Sequence, residues 1–470
     1  MVSKQTKIVA TVSDLDCAVE HVTALYEAGM NVVRLNTAHQ THEGSLEVIN
    51  NVRAVSKNIA LLLDTKGPEV RTAGFEDPIE VAEGEEILIT KDAPQGKGFQ
   101  TNYDGFVDDV TVGCQILIDD GETALEVVAK KPGVLTAKVL NSGKIKKKKS
   151  INVPDVHLEL PSITEKDKNY IKFAAEHDLD FIAHSFVRNA QDVKDVQSLL
   201  DEYGSSAKIV AKIENREGVE NLDEILDHAY AIMVARGDLG IEIPAEEVPF
   251  IQKQMIAKCI ERGKPVITAT QMLHTMIENP RPTRAEVSDV ANAIFDGTDA
   301  IMLSGETAYG KYPLEAVKTM TRIAQMVESQ KPKMRDRDVF TGKNPIRNYM
   351  TEAAIKASLH LPVKAMVVDT QTGRTARIIA TYRSNIPAFV KCHDAEVVRL
   401  LSLSYGIFPE YMPLPNSTDE LVTKALKSSV ESGDLKDDDV VVVLAGTPGR
   451  SEASNFLEIN TVEMVLKGRA

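Results

Sequence analysis

Four charged residues sit at the ends of two apolar runs. Lys212 and Glu214 follow Ile209-Val210-Ala211, and Arg236 and Asp238 follow Ala231-Ile232-Met233-Val234. Both runs have β-strand character, and charge where a buried strand ends is costly unless it performs a task. The two carboxylates are hard oxygen ligands with no His or Cys beside them, a set that suits a Mg²⁺-type ion rather than zinc. Lys212 and Arg236 beside such an ion call for an anionic, phosphorylated substrate. The plainer alternative is a structural ion-pair network on a barrel rim.

The elements that would carry these residues follow a β/α rhythm. The pattern predicts strands over Lys7–Val12, Asn31–Leu35 and Ile59–Leu63, with helices over Ala18–Ala28, stopped by Gly29, and Glu43–Lys57. From about Pro68 to Pro154 the rhythm gives way to short β-runs with Gly, Pro and Asp turns, such as Ile116-Leu117-Ile118 before Asp119-Asp120-Gly121. It resumes at Ser162-Ile163-Thr164-Glu165, read as a capping box. Strands are then predicted over Phe181–Ala183, Lys208–Ala211, Ala231–Val234, Pro265–Ala269 and Ala300–Leu303. Three units before the insertion and five after it close a (β/α)8 TIM barrel. Residues 331 to 345 read as a linker. Runs at Ala365–Val368, Ala388–Val390 and Val440–Leu444 then predict an open parallel sheet. The expected organisation is a catalytic barrel over 1–67 and 155–335, an all-β lid domain over 68–154, and a C-terminal α/β domain over 346–470.

Reading only the carboxyl ends of the barrel strands gathers Arg34 and Asn36, then Asp64, Thr65 and Lys66, then Ser185, Lys212 with Glu214, Arg236 with Asp238, Thr270 with Gln271, and Ser304 with Glu306. In a barrel these ends share one mouth, where active sites are built. Two carboxylates with a divalent ion, ringed by Arg34, Lys66, Arg71 and Lys212, suit phosphoryl transfer, which asks mainly for positioning and electrostatics. Gly237-Asp238-Leu239-Gly240 opens a helical turn whose free N–H groups suit a carboxylate. The chain has no G-x-x-x-x-G-K-[ST] loop and no G-x-G-x-x-G after a strand, which argues against a P-loop kinase and a nicotinamide enzyme.

Composition narrows the classes further. The chain has 470 residues, 43% apolar and 26% charged, with a net charge of -15 that disfavours a nucleic-acid partner. Its four cysteines are scattered, so neither a disulfide framework nor a zinc site is expected. No apolar run has membrane-spanning length and the amino terminus shows no signal region, so a cytoplasmic protein is expected.

Across nearly its whole length the sequence resembles pyruvate kinases. The resemblance is carried by Ile209 to Val219, Leu63 to Thr72, Met233 to Gly240, Ile267 to Leu273, Asn279 to Glu286 and Met302 to Glu306. It implies phosphate transfer from phosphoenolpyruvate to ADP, giving pyruvate and ATP, by a cytoplasmic homotetramer answering to a phosphorylated effector. By the same resemblance Glu214 and Asp238 match the Mg²⁺ (or Mn²⁺) ligands. Lys212 matches the lysine that stabilises the transferring phosphoryl group and the enolate, Thr270 the threonine of the protonation relay, and Arg34 the arginine on the substrate phosphate. Gly237 falls in the substrate loop. Asn36, Asp64 and Thr65 match K⁺ ligands, and His39, Arg71 and Lys149 match nucleotide contacts. Glu69 matches the glutamate of potassium-dependent members.

Three positions depart from the pattern. Ala38 stands where the family carries a K⁺-ligating serine hydroxyl, Ser150 where it carries a glycine, and His184 where a small residue is usual. Thr370, Thr372, Gly373, Arg374 and Thr375, after a strand and opening a helix, resemble the family's sugar-phosphate effector loop, though a well-capped helix start would look similar. Gly446 to Arg450 would complete that pocket or simply turn the chain. Lys144 and Lys146 to Lys149 read either as a solvated hairpin or as a lid edge facing nucleotide phosphates. Two rival readings share these residues: a Mg²⁺-dependent aldolase or lyase acting on pyruvate enolates, and a sugar-phosphate sensor without catalysis.

Overall fold

The computed structural model describes residues 4–331, 344–448 and 454–469. Most of the expected linker, and Gly449 and Arg450, lie outside the described residues. Eight parallel strands close a barrel: Lys7–Thr11, Val32–Asn36, Ala60–Asp64, Phe181–His184, Lys208–Ile213, Ala231–Ala235, Val266–Ala269 and Ala300–Leu303. All eight lie where the alternation of apolar runs and helical periods placed them.

Strand side chains alternate between two apolar layers. Val9, Val32, Leu62, Phe181, Val210, Met233 and Ile267 fill the barrel interior. Ile8, Val33, Leu61, Ile182, Ile209 and Val234 pack outward under the helices. The alternation places the chemistry. Two residues beyond interior Val32, Leu62, Ala183 and Val210 come Arg34, Asp64, Ser185 and Lys212. The parallel register sets Asp64 level with Asn36 and with Ala183. The polar residues therefore converge above the last apolar layer.

The helices start and stop on local chemistry. Val19–Ala28 ends at Gly29 in the left-handed conformation (φ 118°). Thr41 caps His42–Val55 by accepting from the Gly44 N–H. The capping box near residue 164 is offset from the expected one. Thr164, not Ser162, is the cap, and it pairs reciprocally with Asp167. The shift follows from Ser162 giving its hydroxyl to Asp195 (2.7 Å).

Between the third and fourth barrel strands, short strands from Val70–Ala73 to Ser150–Asn152 form a small seven-stranded closed barrel around Ile87, Phe99, Phe106, Ile116 and Leu135. It meets the large barrel through Asn152 Nδ2 on Glu242 Oε1 (2.9 Å), His157 with Glu217 (2.8 Å) and Arg216 with Asp155 (2.9 Å).

The C-terminal sheet differs from the expected parallel one. Ile407–Tyr411, Ala388–Cys392, Val363–Thr370 and Val440–Gly446 are parallel, but Ser454–Thr461 adds an antiparallel edge. That strand reads Ser-Asn-Phe-Leu-Glu-Ile-Asn-Thr, half exposed and polar, without the continuous apolar run that marks a buried parallel strand. This domain seals the barrel floor. Leu400 and Leu403 join the interior layer, and Arg399 pairs with Asp180 (2.5 Å) and Arg383 with Asp299 (2.6 Å). Among the described residues no helix is long and apolar enough to cross a membrane.

Candidate active site

The barrel mouth is organised around one ammonium group. Lys212 Nζ lies 2.6 Å from Ser185 Oγ, 2.9 Å from Glu214 Oε1 and 3.1 Å from Asp64 Oδ1. Three donors meet three acceptors, and its side chain is 11% exposed. Asp64 turns its other oxygen to Arg34 Nε (2.6 Å), and Arg34 also donates to Thr11 Oγ1 (3.0 Å). Glu214 Oε2 accepts the Phe186 N–H at 2.6 Å. Arg34, Asp64, Lys212 and Glu214, from three strand ends, thus form one continuous network.

The charges are unequally balanced. Burial alone would raise the Asp64 carboxyl, but Arg34 and Lys212 outweigh it and hold it below the usual carboxylate range. Burial would lower Lys212, and the three carboxylates around it reverse that, so it stays protonated. Glu214 is pushed up to about 7, chiefly by burial, with Lys212 opposing and Asp238 adding to the rise. Asp238, hydrogen-bonded to Glu214, is raised by burial as well. Two buried carboxyls both shifted upward by burial leave room for more positive charge. A divalent cation fits that donor set, which is hard oxygens from two carboxylates.

Asp238 lies on the short helix Arg236–Glu242, and Gly237 N–H there donates to Thr270 Oγ1 (2.6 Å). The Thr270 hydroxyl in turn donates a hydrogen bond to Ala269 O (2.6 Å). It adopts φ +67° and Gln271 φ +53°, a conformation that a β-branched residue holds only when its surroundings enforce it. Arg236 supplies the enforcement. It donates to Thr270 O (2.8 Å) and Ala269 O (3.3 Å) and is anchored by Asp289 (2.7 Å). Arg236, expected to face substrate, instead braces the seventh strand end. Glu306 is likewise occupied, its two oxygens accepting from Leu273 and Ser304 N–H.

A cleft of about 890 Å³ separates this mouth from the inserted barrel, lined in part by Asp238, Arg71, Lys149, Asp119, Asp120 and Phe186. Arg71 is clamped by Glu69 and donates to Lys148 O (2.6 Å), and Glu69 also meets Lys66 (3.2 Å). Lys149 pairs with Asp119 (2.8 Å), and Ser150 with Asp120 (3.1 Å). Asp119 and Asp120 both have positive φ. The sequence marked them only as a turn, and nothing in their spacing signals that Asp119 holds Lys149 and Asp120 holds Ser150. His39 is exposed beyond the second strand. Asn36 Oδ1 accepts the Ala38 N–H (3.2 Å), and Thr65 Oγ1 accepts the Ser185 N–H (3.1 Å). His184 follows outward-packed Ile182, with neither ring nitrogen partnered among the described residues. Burial pushes it down to about 4.

The C-terminal loop belongs to the domain that seals the barrel floor. Thr370 Oγ1 accepts the Gly373 N–H (3.0 Å), with Gly373 at φ 73°, and Thr375 bonds Ser454 (2.9 Å). Thr372 and Arg374 are exposed. Two of the expected hydroxyls therefore shape the loop, and two side chains face outward.

Comparison with known proteins agrees with this geometry. Residues 3–317 match the family model "Pyruvate kinase, barrel domain", and residues 348–460 match "Pyruvate kinase, alpha/beta domain". The chain is 54% identical to a pyruvate kinase of Borreliella burgdorferi, covering all of both chains. It is 46% identical to one of Geobacillus stearothermophilus, over 99% of this chain and 82% of that protein. A relative from Staphylococcus aureus (strain MRSA252) is 43% identical, over 98% and 80%. With a closed (β/α)8 barrel, an inserted β unit, a C-terminal α/β domain and matches spanning almost every residue, the chain belongs to the pyruvate kinase family.

Proposed function

We propose that the protein transfers the phosphoryl group of phosphoenolpyruvate to ADP, giving pyruvate and ATP in the last step of glycolysis. The observation that carries this reading is the Lys212 ammonium, fixed by three acceptors beside the buried Glu214 and Asp238 carboxyls. In the reaction the bond from phosphorus to the enol oxygen breaks, and one to a terminal ADP oxygen forms. Arg34 and Lys212 offset the charge on the moving group from two sides. The enolate left behind takes a proton at its methylene carbon, and the Thr270 hydroxyl, held by Gly237 N–H, lies on the route for that proton. With the Gly237 N–H engaged by Thr270, the N–H groups that follow it in the turn would orient the substrate carboxylate.

Glu214 and Asp238 would hold Mg²⁺ or Mn²⁺, which when bound polarises the substrate oxygens. Asn36, Asp64 and Thr65 would hold K⁺ with one hydroxyl fewer because of Ala38. Arg71, Lys149 and His39 would meet the nucleotide across the cleft. The loop with Thr370, Thr372, Gly373, Arg374 and Thr375 would bind a phosphorylated effector of a cytoplasmic homotetramer.

The test is pyruvate formation from phosphoenolpyruvate and ADP by the full chain, with Mg²⁺ and titrated K⁺. Turnover that needs both substrates and the divalent ion is expected. No turnover under any salt or sugar phosphate would refute the assignment.

A further inference from the structure

Ser185 has contacts that the proposed reaction leaves unused. Its hydroxyl accepts from Lys212 Nζ (2.6 Å) and donates to Thr65 O (2.6 Å). Its one proton goes to that carbonyl, so a lone pair is left facing the ammonium. The side chain is buried among close neighbours. Ser185 N–H donates to Thr65 Oγ1 (3.1 Å), and Thr65 N–H donates to Ala183 O (2.9 Å). Gly67 closes from above at φ +71°, so near that a methyl group there would lie 2.9 Å from the Ser185 Cβ. The next residue, Phe186, turns the chain at φ +55° and gives its N–H to Glu214. Two consecutive residues of one strained turn therefore hold the two ends of the Lys212–Glu214 pair.

Of the three acceptors on Lys212, Asp64 and Glu214 are carboxylates with other partners. Their pull changes as substrate and cation alter the charge nearby. Ser185 is neutral, and its pull does not. From these contacts we propose that Ser185 is a positioning residue, whose hydroxyl sets the direction of the Lys212 ammonium during phosphoryl transfer. The proposal rests on the phosphotransfer reading given above. A lysine displaced by a fraction of an ångström still binds an anion but loses its match to the transition state. Removal of the hydroxyl should thus act on turnover rather than on substrate affinity.

The experiment compares Ser185→Ala with the wild type in the full chain, each alone and combined with Lys212→Met. The readouts are kcat, the KM for phosphoenolpyruvate with Mg²⁺ and saturating ADP, and the thermal midpoint. Ser185→Ala is expected to fold, to lose about 10- to 100-fold in kcat, and to keep KM within about threefold. Against Lys212→Met, whose residual turnover is followed over hours at high enzyme concentration, it should cause no further loss. Wild-type kcat in Ser185→Ala would overturn the proposal, as would an equal loss in both backgrounds or a loss carried by KM. An inactive wild type would instead overturn the phosphotransfer reading, and this proposal with it.

Discussion

The raised Glu214 and Asp238 carboxyls carry a pH prediction. Glu214 has a native pKa near 7 against an ordinary 4.5, so the native state holds its proton more tightly than the unfolded chain. Below the ordinary value Glu214 costs nothing. As pH rises through 4.5 to 7 the native protein loses stability, and above 7 the full penalty of the buried Glu214 anion is present, with Asp238 shifted in the same sense. A divalent cation held at the pair, as proposed, would relieve that penalty and take the place of the proton. The rise in thermal midpoint caused by Mg²⁺ should therefore be larger at pH 8 than at pH 6, and Mg²⁺ added near pH 6.5 should release protons. Equal shifts at both pH values would speak against a cation at Glu214 and Asp238. Asp64 titrates in the opposite sense, below its ordinary 3.8, outside that window.

Helix starts and strand ends decide where these residues stand. Thr164 caps the helix Glu165–Glu176, from which Lys166 reaches Thr37 O (2.7 Å) and Asp167 accepts the Lys66 N–H (3.0 Å). Thr164→Ala should cost about 1 kcal/mol in urea unfolding. Gly218, just past the fifth strand, has Val187 O 2.4 Å from where a Cβ would sit. Gly218→Ala should destabilise by about 1–3 kcal/mol through overpacking. The strands themselves were legible because apolar runs of four to eight residues separated by amphipathic stretches have few other folds. The inward direction of Arg34, Asp64 and Lys212 follows from the same two-residue period. Arg236 was not legible in this way. It begins a helix instead of continuing a strand, so alternation says nothing of its direction. The antiparallel edge strand was missed because its polar composition resembles a loop, and the backbone strain at Thr270 has no signature in a residue whose type disfavours it.

At the scale of the molecule, the C-terminal domain closes the floor of the barrel whose mouth holds the chemistry. Asp180 is fully buried between Arg399 from that domain and Arg53 from the barrel, and also accepts the Leu61 N–H (2.8 Å). Asp180→Asn would leave two guanidinium groups without their counter-charge. Both keep some contact with water, so the expected loss is about 3 kcal/mol, the lower end for a broken buried pair. It should appear in urea unfolding as a lower midpoint. The same inside-out arrangement makes turnover the property in which every layer is tested together. The most direct measurement is kcat for pyruvate formation from phosphoenolpyruvate and ADP by wild type and Lys212→Met, both folded and supplied with Mg²⁺. The account predicts wild-type turnover and a loss of about 10³-fold or more in the variant. Wild-type turnover in Lys212→Met would contradict it.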